Sequence, residues 1–490
     1  MNHDAVERGK QLFESGKYSV TGAGQTHWPA DDPPDEPAPP PPPPEPPPAQ
    51  AVEHSGQIRM AYRLAESHAD RLLYVSGLGW HMWDGTRWAV DDTGNAKRAV
   101  LEVLRKALAE SLFDRRLQAD VRKCESDSGV NGVLGIASAL TPFAATIRDL
   151  DADPYLLNVA NGTLDLRTME LSPHDHRNRI TKVARAAHDP TAAGSAWHAH
   201  LDRVLPDADV RAYLQRLLGL ALLGRVNEHI LPILTGTGAN GKGVTYKALT
   251  WALGDYASTA EPDLFMHREG AHPTGEMDLI GKRLIVVSES ERDRRLAEAT
   301  MKRLTGGDTI RARRMRQDFI EFEPSHLPLL ITNHLPKVAG DDPAIWRRIR
   351  VIPFEVEIPV IERDPHLDER LQAEADAILA WAVAGWCDYR GRGALDEPSA
   401  VLAATDDYQL ASDAISRFIA ECCTTSSEVQ KVENSKLFEA WEGWRAADGV
   451  DAISLKAFGQ AIDVKGFSMK RSNGRRWRLG IALHHQDRAE

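Results

Sequence analysis

The stretch "LPILTGTGANGKGVTYKALTWALG", Leu231 to Gly254, limits the folds open to this chain more than any other segment. A β-rich apolar run feeds directly into glycines and then into a helical pattern closed by Gly254. That is the order of a strand buried in a parallel sheet, a tight loop and a packing helix. Its centre fits the phosphate-binding pattern G-x4-G-K-[ST] with Gly236, Gly241 and Lys242, but Gly243 stands where the pattern carries a hydroxyl for Mg2+. Backbone amides from Gly238 to Gly243 can converge on phosphate oxygens, the helix N-terminus adds partial positive charge, and Lys242 reaches between the β and γ phosphates. The expected nucleotide-binding set is therefore Gly236, Thr237, Gly238, Ala239, Asn240, Gly241, Lys242, Gly243 and Val244, with ATP and Mg2+ as ligands. Thr245 is the nearest hydroxyl, but two helical residues turn about 200 degrees, so it faces away from the side that Gly243 presents. A water is expected in the vacant position.

Hydrolysis needs carboxylates beside the phosphates. "GKRLIVVSESER" supplies a second buried-strand pattern ending at Glu289, a candidate Mg2+ ligand that also orients the attacking water, with Glu291 two residues on. A third apolar strand, "LPLLITNH", ends at Asn333, where an amide can hydrogen-bond both the γ-phosphate and the water. "AIWRRIRVIPF" then sets Arg347, Arg348 and Arg350 among apolar residues; at a subunit boundary one of them can enter the neighbour's site and neutralise charge developing on the phosphate. Between the second and third strands, "TIRARR" and "DFIEF" predict a hairpin with Arg311, Arg313, Arg314 and Arg316 on or near its tip, suited to gripping a phosphodiester backbone without reading sequence.

At 490 residues the chain is long enough for roughly three domains, at about 150 residues each. Residues 1–56 hold the proline run "PADDPPDEPAPPPPPPEPPPAQ" and are expected to carry no fold. Residues 57–190 read as a mixed domain: "RLLYVSGLGWHMWDGTRWAVD" alternates around an Asp84-Gly85 turn, and "NAKRAVLEVLRKALAESL" has helical spacing. Trp80, Trp83 and Trp88 are expected in the core of its small sheet, and Asp149, Asp151 and Asp153 in a solvated loop. Residues 191–400 contain two helices before the glycine loop, the three strands, and a helix from about Leu367 to Tyr389. Residues 401–490 end in two helices and the hairpin "VKGFSMKRSNGRRWRLGIAL", turning at Asn473-Gly474, with Lys465, Lys470, Arg471, Arg475, Arg476 and Arg478 and no acid. Two helices followed by a basic hairpin predict a winged-helix unit whose wing lies near a nucleic-acid backbone, through Lys470, Arg471, Arg475 and Arg476 above all.

No uninterrupted apolar run approaches the about 20 residues that span a bilayer, and "MNHDAVERGK" lacks the apolar core of a signal peptide, so a cytoplasmic protein with no membrane partner is expected. A net charge of −12 argues against a protein coated in nucleic acid, which leaves the local basic clusters to decide. The four cysteines show neither disulfide nor metal spacing and are expected as reduced core thiols. His198 with His200, and His174 with His176, lack a third ligand nearby.

Taken in order, "GTGANGKGV", "GKRLIVVSESE", "KRLTGGDTIRAR", "LLITNHLP" and "DDPAIWRRIRVIPF" resemble the helicase part of the phage and plasmid primase-helicase family, within the superfamily 3 helicases of the AAA+ ATPases. "YLLNVANGTLDLRT" and "GWHMWDGTRW" resemble the domain that precedes the ATPase there. The resemblance implies an α/β fold with an AAA+ P-loop ATPase core, an N-terminal mixed α/β domain and a C-terminal winged-helix domain. It also implies a homo-oligomeric ring, usually a hexamer, moving 3'-to-5' on single-stranded or forked DNA with ATP between subunits. Gly241 and Lys242 would form the Walker A pair, Glu289 the Walker B acid with Glu291 beside it, and Asn333 the sensor. Arg347 or Arg348 would be the finger, and the Arg311 to Arg316 hairpin the DNA contact in the pore. Fifty residues cannot hold the family's primase domain, and "QLFESGKYSVTG" resembles its closing strands, so a separate primase chain is an expected partner. The expected function is an ATP-dependent replicative helicase of a phage or mobile element in the host cytoplasm. An origin-binding initiator or loader that does not unwind is the other reading, whereas a small-molecule kinase needs neither basic hairpin nor winged helix.

Overall fold

Trp83 pairs with Trp88 across the Asp84-Gly85 turn, so that β1 (Leu72–Val75), β2 (Gly79–Trp83) and β3 (Trp88–Val90) form an antiparallel ladder. The computed structural model describes residues 54–484 except 263, 267–274, 289–293, 314–317, 339–341, 426, 428, 451 and 473. The expectation of an unfolded 1–56 thus falls, up to residue 53, outside the described residues, and helix α1 (Gly56–His68) begins at its end. α1 packs with α2 (Asn95–Glu110), α3 (Arg115–Cys124) and α4 (Asp127–Ala137) around Met60, Leu64, Val100, Leu104, Val121 and Val133. β4 (Ala144–Ala145) joins β1 in parallel. Trp88 is buried; Trp80 packs edge-on against Phe143, and Trp83 meets Trp88 with its ring tilted, so the tryptophans serve the sheet's core.

A meander of β5 (Leu156–Val159), β6 (Gly162–Asp165) and β7 (Glu170–Ser172) follows. The three aspartates ahead of it fasten the loop separately: Asp149 accepts from Thr146, Asp151 from Thr181, and Asp153 pairs with Arg167.

After α5 (Ser195–Val204) and α6 (Ala208–Leu220), the sheet that β8 (Leu231–Thr235) enters has the order β14-β8-β13-β10-β9, every adjacent pair parallel. Its strands are β9 (Ala257–Thr259), β10 (Leu284–Ser288), β13 (Leu327–Thr332) and β14 (Ile349–Pro353), with α7 (Lys242–Leu253) following β8. Alternate residues feed two cores. Leu234, Val286, Leu329 and Ile352 face α6 and α7, while Ile233, Ile285, Leu330 and Val351 face α8 (Glu298–Thr305) and the hairpin of β11 (Ile310–Ala312) and β12 (Ile320–Phe322). Burial on both faces is why these strands read as continuous apolar runs. The chain is thus a mixed α/β protein organised around a parallel sheet.

After the short α9 (Pro343–Trp346), the apolar pattern from Leu367 to Tyr389 predicts one helix, but the structure divides it at Glu374 into α10 (Leu367–Ala373) and α11 (Ala375–Arg392). Glu374 accepts hydrogen bonds from the Ala196 and Trp197 amides at 3.0 and 2.8 Å, supplying partners to the orphan donors at the start of α5. α11 crosses α6 with backbones nearly touching: a Cβ at Gly385 would overlap the Gln215 carbonyl, and one at Gly219 the Trp386 amide. Because backbone cannot rotate aside, Gly385→Ala is expected to cost at least about 1–3 kcal/mol. Thermal unfolding would show a clear drop, and an unchanged midpoint would mean the helices are free to separate.

Beyond α12 (Ser399–Ser412) lie α13 (Ala414–Cys422), β15 (Cys423–Thr424), β16 (Lys431–Glu433), α14 (Asn434–Asp448), α15 (Leu455–Val464), β17 (Met469–Ser472), β18 (Arg475–Leu479) and β19 (Ala482–Leu483). β16, β18 and β17 form one antiparallel sheet against a cluster of Phe418, Trp441 and Phe458. Cys124 and Cys423 are buried as expected of core thiols, whereas Cys387 is exposed on α11. Among the described residues, no helix is long and apolar enough to cross a membrane, and no group of three or more His, Cys, Asp or Glu could hold a metal ion.

Candidate functional site

Parallel pairing aligns the carboxyl ends of three strands: Thr235 lies opposite Thr332 on one side and Pro353 on the other. The glycine loop from Gly236 to Gly241, Asn333 and Phe354 therefore emerge side by side. Lys242 opens α7, with Gly243 and Val244 in its first turn. The Lys242 amine donates to the Gly236 carbonyl at 2.8 Å, to Asn240 Oδ1 at 3.1 Å and to Asn333 Oδ1 at 3.3 Å. Burial among these neutral acceptors pushes it down to about 8. Asn240 is itself buried and donates from Nδ2 to the Phe354 carbonyl at 3.0 Å, while the Ile358 amide donates to Ala239 at 2.9 Å, so the segment after β14 is stitched to the loop.

Behind the loop, Gly241 has φ +82°, and a side chain there would run into Val204. Thr245 donates from Oγ1 to the Gly241 carbonyl at 3.0 Å and stands 2.9 Å from His200 Nε2. Since that hydroxyl proton is committed to the carbonyl, His200 must donate, which assigns its proton to Nε2. Burial pushes His200 down to about 4, so it is neutral near pH 7. Thr245 is thus engaged beneath the loop and turned from its open side. Gly243 is exposed, and a Cβ on it would meet nothing within 4 Å. Gly243→Ser is accordingly expected to leave the unfolding midpoint within about 2 °C and, if ATP is hydrolysed, to retain that activity with a tighter Mg2+ requirement; loss of either would show that the space is needed empty.

The two candidate finger arginines differ sharply. Arg348 is 7% exposed, donates from Nη1 to the Ala344 carbonyl at 2.7 Å, and leaves Nε without a partner. Arg347 is exposed with no ion-pair partner among the described residues, and Arg350 is tied to Glu397 at 2.7 Å. All three lie at the start of β14, the sheet edge opposite the glycine loop. Four to five residues of strand put Arg347 about 15 Å from its own Lys242.

Arg311 and Arg313 flank the ring of Phe319, at 4.5 and 4.6 Å from its centre, and all three are exposed. Phe319 escaped the sequence reading because one phenylalanine beside a strand has no distinguishing local pattern. Lys470, Arg471, Arg475 and Arg476 are exposed on β17 and β18, Arg475 lying 3.3 Å from Glu433. Two other basic residues of this hairpin segment are consumed internally. Arg478 is buried against Asn434, Gly459, Asp463 and the Phe467 carbonyl, and Lys465 pairs with Asp413. Glu289, Glu291, Arg314, Arg316 and Asn473 lie outside the described residues.

Residues 61–206 match the family described as "D5 N terminal like", and residues 234–348, which hold the glycine loop, match a family of unknown function, DUF5906. A "Putative helicase" of Acanthamoeba polyphaga mimivirus is 29% identical over 242 residues, 48% of this chain and 25% of its own length. A "Putative primase" of African swine fever virus is 24% identical over 349 residues, 66% of this chain and 36% of its own length. The chain therefore spans about a quarter to a third of these relatives. A solved structure of the NrS-1 C-terminal region superposes with a TM-score of 0.47 at 11% identity, covering 85% of this chain and 98% of that one. The amino-terminal match and these viral relatives together support a phage and viral primase-helicase family for the chain.

Proposed function

We propose that this chain is the ATP-driven motor of a replicative DNA helicase, a ring-forming AAA+ ATPase of superfamily 3 acting on single-stranded and forked DNA. Its domains would span residues 57–190, 191–400 and, as a winged helix, 401–490. The observation that carries the proposal is the split across the parallel sheet: Lys242 and Asn333 meet at one edge, while the exposed Arg347 sits at the other, too far to serve its own site. On this reading a second copy of the chain would bring its Arg347 to complete the first, as in a ring that hydrolyses ATP between subunits.

In that assembly the amides of Gly238 to Gly243 and the N-terminus of α7 hold the phosphates, and the Lys242 amine exchanges its neutral acceptors for phosphate oxygens. Asn333, released by the lysine, is free to hold the attacking water. Mg2+, held by Glu289 and waters, would neutralise charge on the β and γ phosphates. Gly243 leaves room for one of those waters, since Thr245 is turned away. Arg311, Arg313, Arg314 and Arg316 would grip the strand in the pore, and Lys470, Arg471, Arg475 and Arg476 a flanking backbone; a primase on another chain would be a partner.

Displacement of a labelled strand from a forked substrate, with ATP and Mg2+, tests this directly. Binding and ATP turnover without displacement would favour an initiator or loader and end the helicase proposal. Replacing Arg313, Arg314 and Arg316 together with Ala should abolish DNA stimulation of ATPase and lower the log-log salt slope of single-strand binding by about 0.7 per lost contact. An unchanged slope would place the DNA path elsewhere.

A further inference from the structure

At the sheet edge opposite the glycine loop, a cavity of about 1090 Å3 opens between β2–β3, the segment Ile147–Pro154, the residues leading into β10, and β12. Lys182 and Lys282 both line it. The Lys182 amine donates to Thr181 Oγ1 at 3.1 Å, and the Lys282 amine to the carbonyls of Asp255 at 2.7 Å and Ala257 at 3.4 Å. Neither has a carboxylate within 4 Å among the described residues. The nearby acids are already engaged: Asp151 accepts from the amide and hydroxyl of Thr181 at 2.8 and 2.6 Å, and Asp255 pairs with Arg87 and accepts from the Val183 amide at 3.1 Å. Asp278 attracts Lys282, but the repulsion from Lys182 outweighs it; with burial as the larger cause, Lys282 is pushed down to about 8. Burial lowers Lys182 as well, against a smaller attraction from Asp151.

An ammonium in a protein interior is normally paired, because desolvating it alone is costly. Two of them facing one space, neither with a carboxylate within 4 Å among the described residues and the closest acids, Asp151 and Asp255, engaged elsewhere, point to a counter-charge supplied from outside. Each ammonium has three donors. Two of Lys182 and one of Lys282 are unused by the bonds above, and Arg148 and Arg225 line the same cavity. The volume matches that of small-ligand pockets, about 300–1,000 Å3. Six acids, Asp92, Asp151, Asp255, Asp278, Glu321 and Glu323, also line it, which disfavours a polyanionic strand and suits a compact phosphate group held at the two amines.

We propose that this cavity binds a phosphate-bearing small molecule, its phosphoryl oxygens held between Lys182 and Lys282. The site is separate from the glycine loop: Lys282 precedes the first residue of β10, whose five residues carry the chain about 17 Å to the other edge. An occupant would contact both β2–β3 and the root of the Arg311–Arg313 hairpin, and so would tie the amino-terminal sheet to the proposed DNA grip.

Inorganic pyrophosphate is the probe. It is titrated calorimetrically into the full chain carrying Lys242→Ala, so that the glycine loop does not contribute, and again after adding Lys182→Gln or Lys282→Gln. One pyrophosphate per chain is expected in the first protein, with at least tenfold weaker binding in each of the others. Amine acetylation at pH 8, read by mass spectrometry on the Lys242→Ala protein, supplies a readout needing no change in the cavity: pyrophosphate should protect Lys182 and Lys282 at least threefold and leave the surface Lys247 unchanged. Absence of binding, binding indifferent to both lysines, or equal labelling of Lys182, Lys282 and Lys247 with and without pyrophosphate would overturn the proposal. None of these results depends on whether the chain unwinds DNA.

Discussion

Lys242→Ala is expected to reduce ATP turnover by at least about 100- to 1000-fold, the scale seen when one preorganised donor to a developing charge is removed, while leaving the fold intact. The amine makes three hydrogen bonds but is also a desolvated charge with neutral partners, so the stability lost with the bonds is largely offset by relief from that burial. Its pH signature follows in sign. The folded amine titrates at about 8, below its ordinary 10.5, so between those values the unfolded chain holds a proton that the folded chain has released. Wild-type stability therefore gains a contribution as pH rises from about 8 to about 10.5, and the variant lacks it. Phosphates at the loop restore the charge, so nucleotide binding at pH 8.5 should take up a proton. Calorimetry in two buffers of different ionisation heat measures that uptake; a count identical in wild type and Lys242→Ala would remove Lys242 from the phosphates, as would near-normal ATPase in the variant.

Arg347→Ala is expected to lower ATP hydrolysis by about 10³-fold or more, the usual worth of an arginine finger, without moving the unfolding midpoint, since the side chain is exposed and has no ion-pair partner among the described residues. Arg348→Ala should do the reverse, lowering the midpoint because it empties a buried position bonded to Ala344. Mixing Arg347→Ala with Lys242→Ala protein should restore activity at interfaces where an intact arginine meets an intact glycine loop. No recovery at any ratio, with assemblies still forming, would exclude a finger acting between subunits.

Strand, glycine loop and helix could be read along the chain because each leaves a local mark: a run of apolar residues where both strand faces are buried, and glycines where backbone passes close to a neighbour, as Gly241 does to Val204. What depends on contacts distant in sequence left none. His200 is joined to Thr245 across 45 residues, and Glu374 to the start of α5 across 177 and 178. Arg347 and Arg348 are identical neighbours in sequence, and only the packing of the turn before β14 buries one and exposes the other. The same holds for Arg478 and Arg476: two residues apart on β18 they share a face, and only their distance from the turn sets the first against Asn434 and Asp463 and leaves the second exposed.

The stitching of the glycine loop to the segment after β14 carries a mechanical consequence. β14 begins two residues after Arg347 and ends just before Phe354, whose carbonyl holds Asn240. A strand locked on one side by its ladder to β8 behaves as a stiff rod. If Arg347 answers to a phosphate in the adjoining subunit, a push or pull there reaches this subunit's own loop without passing through any flexible element. Neighbouring sites in a ring would then fire in succession rather than independently, with the timing set by a single strand that touches both.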